Sequence, residues 1–348
     1  LSRAWEGAEV TIPFILPRNY TLDQDLPTPY QGIGARGVNN LSAKLLLTLF
    51  PPNSPFFKFQ IDDFTLQELQ AQRAPIEEGL NAMERAVMDE VEAKAMRVPL
   101  SECLRHLIIT GNCLLHANKN NKVRVFHLDQ YCVRRDPQGE MLEVIVLEKM
   151  SRELYKDVFG GTPPSETGDS SDSQEKQLNL YTVVRRKDNK IHVHQEVNNK
   201  KIPNTNSTYP LDKNPWLALR FSSIDGEDYG RGFVEEYLGD LRALEGLSKA
   251  ILEGSAAAAR AIFLVRPNGT TKLKTISQAP NLAVRQGSAE DVTVLQMQKF
   301  NDFRVAQETI AQTERRLAAA FLLNQSVQRD AERVTAEEIR FLANELET

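Results

Sequence analysis

The chain has 348 residues, 41% hydrophobic and 26% charged, with a formal net charge of −5. At roughly 100–200 residues per domain, that is enough for two or three domain-sized units with a sizeable core. The composition predicts a soluble globular protein: apolar stretches such as Leu45–Phe50 fall far short of the roughly 18 residues a membrane span needs, and the acidic balance argues against a clamp that grips nucleic acid through many phosphates. Cys103, Cys113 and Cys132 are odd in number and not framework-spaced, which favours a reduced intracellular setting. The chain opens at Leu1 and stops at Thr348 inside a helical pattern, so a longer parent chain is expected.

Asn39 and Asn40 precede Leu41, Leu45, Leu46 and Leu49, a pattern that predicts a capped amphipathic helix ended by Pro51 and Pro52. Pro75 opens a second helix carrying Ile76, Leu80, Met83, Val87 and Val91 at helical spacing, and Pro99 opens a third that runs to about His116. The period then changes. Lys122–Arg135, Met141–Leu147 and Leu178–Arg186 are rich in β-branched and aromatic residues, with Asp136-Pro137-Gln138-Gly139 as a turn between the first two. Tyr181–Arg186 and Ile191–Val197 flank Lys187-Asp188-Asn189-Lys190 as a hairpin, so an antiparallel β region is expected. Residues 160–177, rich in Pro, Gly, Ser and acids without an apolar anchor, predict a mobile surface loop.

After a strand-like Trp216–Phe221, residues Arg231–Arg260 contain no proline, and Phe233, Tyr237, Leu241, Leu244, Leu247 and Ile251 recur in three- and four-residue steps. This predicts one helix of about 30 residues, roughly 45 Å long. Gly232, Gly239, Gly246 and Gly254 recur at steps of seven, seven and eight within it, a stripe that would let another backbone approach closely, from the same subunit or from a neighbour. Arg266–Gln296 is loop-rich, with strand-like Leu282–Arg285 and Val292–Leu295, and a second long helix follows from about Asp302 to Leu323. The order is thus helix, small α/β module, helix.

Gly32-Ile33-Gly34-Ala35-Arg36-Gly37 fits G-x-G-x-x-G, the pattern of a nucleotide-binding enzyme, but neither a preceding strand nor a following βαβ unit is expected; a flexible turn capping a Val38–Phe50 helix accounts for it better. No G-x-x-x-x-G-K-[ST] motif occurs. Cys103-x-x-His106 and Cys113-x-x-His116 look like a zinc set, yet on one helix the two pairs lie about 15 Å apart, while zinc ligands converge within about 2.3 Å of one ion. His192 and His194 share a strand face. Asp62-Asp63 and Asp225-Gly226-Glu227-Asp228 are paired carboxylates; the second group turns the chain and sets negative charge ahead of the long helix. Neither a Ser-His-Asp order, a G-x-S-x-G elbow nor an H-E-x-x-H is found.

Four stretches, Thr28–Phe59, Ser222–Glu245, Tyr229–Val265 and Phe321–Glu347, resemble portal (head-to-tail connector) proteins of short-tailed double-stranded DNA phages, so the match spans most of the chain. The resemblance implies an α+β portal fold. A mixed α/β wing would cover 1–225, helical to 118 and β-rich from 119; a stem helix 226–262; a small α/β clip 263–300; a second stem helix 301–323; a tunnel loop 324–333; and 334–348 would begin a helix toward a crown that is absent. Asn324, Gln325, Ser326, Val327, Gln328, Arg329 and Arg333 would then line the narrowest part of a DNA channel, with Asp330 and Glu332 limiting the grip of the arginines. The implied role is structural and non-catalytic: a ring of twelve copies at one capsid vertex of the virion, assembled in the host cytoplasm. Its implied partners are double-stranded DNA, capsid and scaffolding proteins, terminase and tail adaptors, with no membrane, cofactor or metal. The rivals are a nucleotide-dependent enzyme built on Gly32–Gly37 and a zinc-dependent nucleic-acid-binding module.

Overall fold

The computed structural model describes residues 1–18, 25–52, 54–61, 73–118, 122–164, 177–258, 262–267, 288–295 and 300–323. The tunnel-loop residues Asn324, Gln325, Ser326, Val327, Gln328, Arg329 and Arg333, the 334–348 helix, Asp62-Asp63, strand Leu282–Arg285 and most of the 160–177 loop lie outside the described residues.

The described elements mix helices with antiparallel sheets, the α+β class expected. After α1 (Ser2–Glu9), helix α2 spans Ile33–Leu49. It starts well before Asn39 and Asn40, so these residues are not its cap, and Gly32–Gly37 is its first turn rather than a flexible loop. The cap is supplied by a longer side chain: Gln31 Oε1 accepts the Gly34 N–H at 2.8 Å, while Gln31 Nε2 donates to the Val10 carbonyl at 2.6 Å. Helix α3 (Arg73–Ala93) carries Pro75 in its first turn; Met83 and Val87 of its apolar stripe are exposed within the subunit.

Helix α4 is Arg97–Thr110, shorter than expected. Gly111, at φ +74°, takes the left-handed position that ends the helix, and its N–H donates to the Leu107 carbonyl at 3.0 Å. Residues Asn112–Ala117 then form strand β1, not helix, because the Cys113–Leu115 apolar run is buried as a strand between β2 (Val123–Phe126) and β9 (Trp216–Arg220). The Lys122–Arg135 stretch also divides. A turn at His127–Gln130 sends β2 to this three-stranded sheet and β3 (Tyr131–Arg135) to the larger one.

The larger sheet runs β3, β4 (Met141–Met150), β5 (Leu178–Lys187), β6 (Lys190–Val197), β7 (Lys200–Lys201), with β8 (Ser207–Pro210) also pairing β6. The β5–β6 hairpin closes at Lys187 and Lys190 through Asp188 and Asn189, both at positive φ, as a turn matching the strand twist requires. Between β4 and β5 lies α5 (Arg152–Phe159), which the sequence reading did not include. Ser151 Oγ caps it by accepting the Leu154 N–H at 3.2 Å, and Tyr155 packs under it with Leu178, Leu180 and Val197.

The expected 231–260 helix is two helices, α6 (Phe233–Glu236) and α7 (Leu238–Ala258). At the join the Glu235 and Tyr237 N–H groups bond three residues back, to Gly232 and Val234, a tightened turn that breaks the regular ladder. Strands β10 (Ile262–Val265) and β11 (Val292–Leu295) pair antiparallel, Ile262 opposite Leu295, and α8 spans Phe300–Ala320. One apolar core joins α1, α2, α4, both large sheets and the lower ends of α7 and α8, where Leu241, Leu244, Leu317 and Phe321 are fully buried.

Candidate functional site: the helix pair and its anchorage

Helices α7 and α8 pack on each other. Arg316 donates to Asp240 at 2.9 Å and the Phe321 ring lies 6.1 Å from Tyr237, so residue numbers rise on one helix as they fall on the other, and the two run antiparallel. The β10–β11 pair joins their far ends, which gives the helix, small module, helix order a physical form.

The near end of the pair is fixed to α2. Phe321 meets Phe233 edge-on at 5.5 Å, and a Cβ placed on Gly37 would lie 2.5 Å from the Phe321 ring, so only glycine at 37 lets the two elements close. The carbonyls at the end of α8 lack intrahelical donors. Asn40 Nδ2 donates to the carbonyls of Phe321 (3.1 Å) and Leu322 (2.9 Å), and Lys44 Nζ donates to Leu322 at 2.7 Å, a cation where the helix macrodipole favours one. Leu322 has φ +50°, a conformation held by these three contacts. The chain therefore leaves toward residue 324 from a point set by α2.

A second anchorage ties the start of the pair to the sheets. Gly111, Gly230 and Gly232 bring three backbones into contact: a Cβ on Gly111 would lie 2.3 Å from the Arg231 carbonyl carbon, one on Gly230 2.6 Å from the Gly111 oxygen, and one on Gly232 2.5 Å from the Ile109 oxygen. Asn112 locks the contact, donating to the Gly230 carbonyl at 2.9 Å and accepting the Gly230 N–H at 2.7 Å. The Tyr229 hydroxyl accepts the Val133 N–H at 3.1 Å. Asp228 accepts the Arg135 N–H at 2.7 Å, while the Arg135 guanidinium reaches the carbonyls of Asp228, Gly139 and Ala218. Burial, and then the neighbouring Arg220, lower the Arg135 pKa. Glu227 is held below the usual carboxylate range by the hydrogen bond from Arg231. The acidic turn thus binds arginines and orients the chain entering α6.

Of the four glycines read as one stripe, Gly232 is outside the helices. It is the extended residue before α6 and is used up against α4. Gly239 and Gly246 are exposed on α7 with nothing within 4 Å of an added Cβ, and Gly254 is half-buried on the same helix.

In the G-x-G-x-x-G pattern, Gly34 faces the Val10 carbonyl, 2.7 Å from an added Cβ, and Gly37 faces Phe321, so two of its glycines serve packing; among the described residues no strand precedes them. The four Cys and His residues of the zinc pattern do not converge. Cys103 and Cys113 are buried together, and the hydrogen bond from Cys103, with burial, pushes the Cys113 thiol up. His116 stacks on Trp216 at 3.8 Å. His106 turns to His127 instead, at 4.5 Å between rings, and burial, then His127 and Arg105, lower its pKa to about 3. His194 bonds Glu196 at 2.8 Å.

The sequence reading missed Asn40, Lys44, Gly37 and Gly111 as anchoring residues. Polar Asn40 in the middle of a helix, and Gly111 just beyond an apolar helical run, were the available signals.

A family model described as bacteriophage head to tail connecting protein matches residues 1–348. The chain is 37% identical to the portal protein of Enterobacteria phage T3 and 35% identical to that of Escherichia phage T7, over 99% of this chain and 66% of each relative. It is 27% identical to the portal protein of Enterobacteria phage SP6, over 100% of this chain and 68% of that one. The chain thus spans about two thirds of the length of the curated relatives it matches. With a helix pair joined through an antiparallel strand pair and footed on an α+β body, the chain belongs to the family of bacteriophage head-to-tail connecting proteins.

Proposed function

We propose that the chain is a structural, non-catalytic portal subunit that assembles into a closed ring, twelve copies by family resemblance, at one capsid vertex of the virion. The observation that carries this reading is the relation to two proteins named portal protein over 99% of the chain. In the ring the subunits enclose a channel for double-stranded DNA during packaging and ejection. Residues 1–225 form the wing, α6–α7 and α8 the stem, and the β10–β11 module the clip, to which terminase and later the tail adaptors attach; capsid and scaffolding proteins contact the outer surface.

Closed rings need a heterologous interface, one face of a subunit meeting a different face of the next. The exposed Met83 and Val87 on α3 and the open Gly239–Gly246 face of α7 suit such contacts. Gly246→Leu is expected to leave the subunit's fold intact, and to add up to about 1 kcal/mol of helix propensity, while lowering ring yield in size-exclusion chromatography. Rings at wild-type yield would move the subunit contact off this face.

In the segment 324–333, Arg329 and Arg333 provide sparse phosphate contacts, enough to touch DNA without adding the friction of many ion pairs. Arg329→Ala is expected to preserve rings and change DNA retention in packaging assays; loss of the ring in this variant would overturn the assignment. The reading as a whole is tested by native mass and negative-stain images of the full-length protein. Rings of about a dozen subunits with a central hole support it, and a strict monomer across salt and concentration overturns it.

A further inference from the structure

Helix α4 and the turn between β2 and β3 bring Glu102, His106 and His127 together. We propose that these three side chains form a binding site for a borderline transition-metal dication of the zinc class, one per subunit, with water completing the coordination. The proposal does not depend on the portal reading.

One ligand atom from each residue lies within 4.8 Å of the others. Glu102 and His106 are four apart on α4 and so share a helix face, and His127 Nε2 is 3.7 Å from Glu102 Oε1. Ligands around a tetrahedral zinc at about 2.1 Å sit about 3.3 Å from one another, so a small closing rotation of the two outer side chains is needed. Glu102 and His127 are partly exposed, at 45% and 33%, which leaves them free to make it and gives the ion a way in.

A second observation is independent of that spacing. His106 is 1% exposed, and its Nδ1 is buried without a hydrogen-bond partner. Buried polar atoms ordinarily have a hydrogen-bond partner. Here the packing of α4 fixes the ring beside a second imidazole, and among the described residues no group answers Nδ1, the nitrogen left to take an ion. The His127 main chain is pinned too, its N–H donating to Gln130 Oε1 at 3.1 Å and its carbonyl accepting the Gln130 N–H at 3.0 Å.

Two imidazoles and one carboxylate favour zinc, cobalt, nickel or copper over calcium or magnesium, which prefer all-oxygen shells. The buried thiols of Cys103 and Cys113 face a separate apolar cluster and take no part. A bound ion would cross-brace α4 to both sheets.

The test is isothermal titration of zinc into chelator-stripped full-length protein, in whatever oligomeric state it adopts, with thermal melting of the same samples. His127→Gln and Glu102→Gln are the probing variants, since both positions are partly exposed and neither change empties the core. His194→Gln controls for the other histidine–carboxylate pair. The expected result is one zinc per subunit, a higher melting temperature with zinc, an affinity about 100-fold lower in His127→Gln, and no change in His194→Gln. Absence of saturable zinc binding in the wild type would overturn the proposal, as would wild-type affinity in His127→Gln or loss of binding in His194→Gln alone.

Discussion

Gly111→Ala is expected to lower the thermal midpoint of the protein by about 8 °C or more, or to leave it insoluble. Two costs combine. Alanine at φ +74° is strained by about 1–2 kcal/mol, and its Cβ would sit 2.3 Å from the Arg231 carbonyl carbon, a backbone atom with no rotamer to move. Relief requires parting α4 from the strand that leads into α6, which also breaks the paired bonds between Asn112 and Gly230. Gly160→Ala is the matching control: the backbone there is also left-handed, at φ +68°, but nothing lies within 4 Å, so the strain alone remains, about 1 kcal/mol. Equal midpoints for the two variants would show that the three-backbone contact contributes nothing.

Phe321→Ala is expected to destabilise the protein by about 3–5 kcal/mol, the range for removing a fully buried aromatic ring. The loss falls on the joint between α8 and α2, where the ring fills the space above Gly37 and meets Phe233 and Tyr237. The pairing makes a sharper forecast. Gly37→Ala alone is expected to be harmful because its methyl would overlap the Phe321 ring, and to become milder but not neutral in the Phe321→Ala background, where the ring is gone and the residue 321 Cβ still lies 2.9 Å from the added methyl. Chemical denaturation of the four proteins measures the coupling; strictly additive losses would mean that Gly37 and Phe321 do not share the joint.

Periodicity over ten or more residues was readable: α3, α8 and the β5–β6 hairpin appear where the spacing put them, α2 appears one turn longer at its start, and the expected 231–260 helix appears with a break that leaves α7 as its longer part. What escaped was decided by single residues. Gly111 turned an apparently continuous helix into a helix and a strand, because the left-handed residue outweighs the apolar run that follows it. Gln31 capped α2 from outside the usual set of short polar residues, which freed Asn40 for the end of another helix 281 positions away. Gly232 belonged to a tertiary contact and not to the helical stripe, a distinction that spacing along one chain does not carry. Pairing between distant segments likewise hid the Glu102, His106 and His127 cluster, since His127 comes from a turn between strands of different sheets. The family resemblance was legible because it rests on long contiguous stretches, and the whole-chain family match bears it out.

Asn40 and Lys44 hold the last carbonyls of α8 from a different helix, so whatever follows Leu323 is grounded on the body of the subunit and not on the tip of a lever. A pull on that downstream segment would load α2 directly, and α7 and α8 would be spared most of the bending moment. The same connection works in reverse. A shift or tilt of α2 moves the root of the downstream segment by a like amount, so the position of α2 and the exit point at Leu323 become one mechanical coordinate.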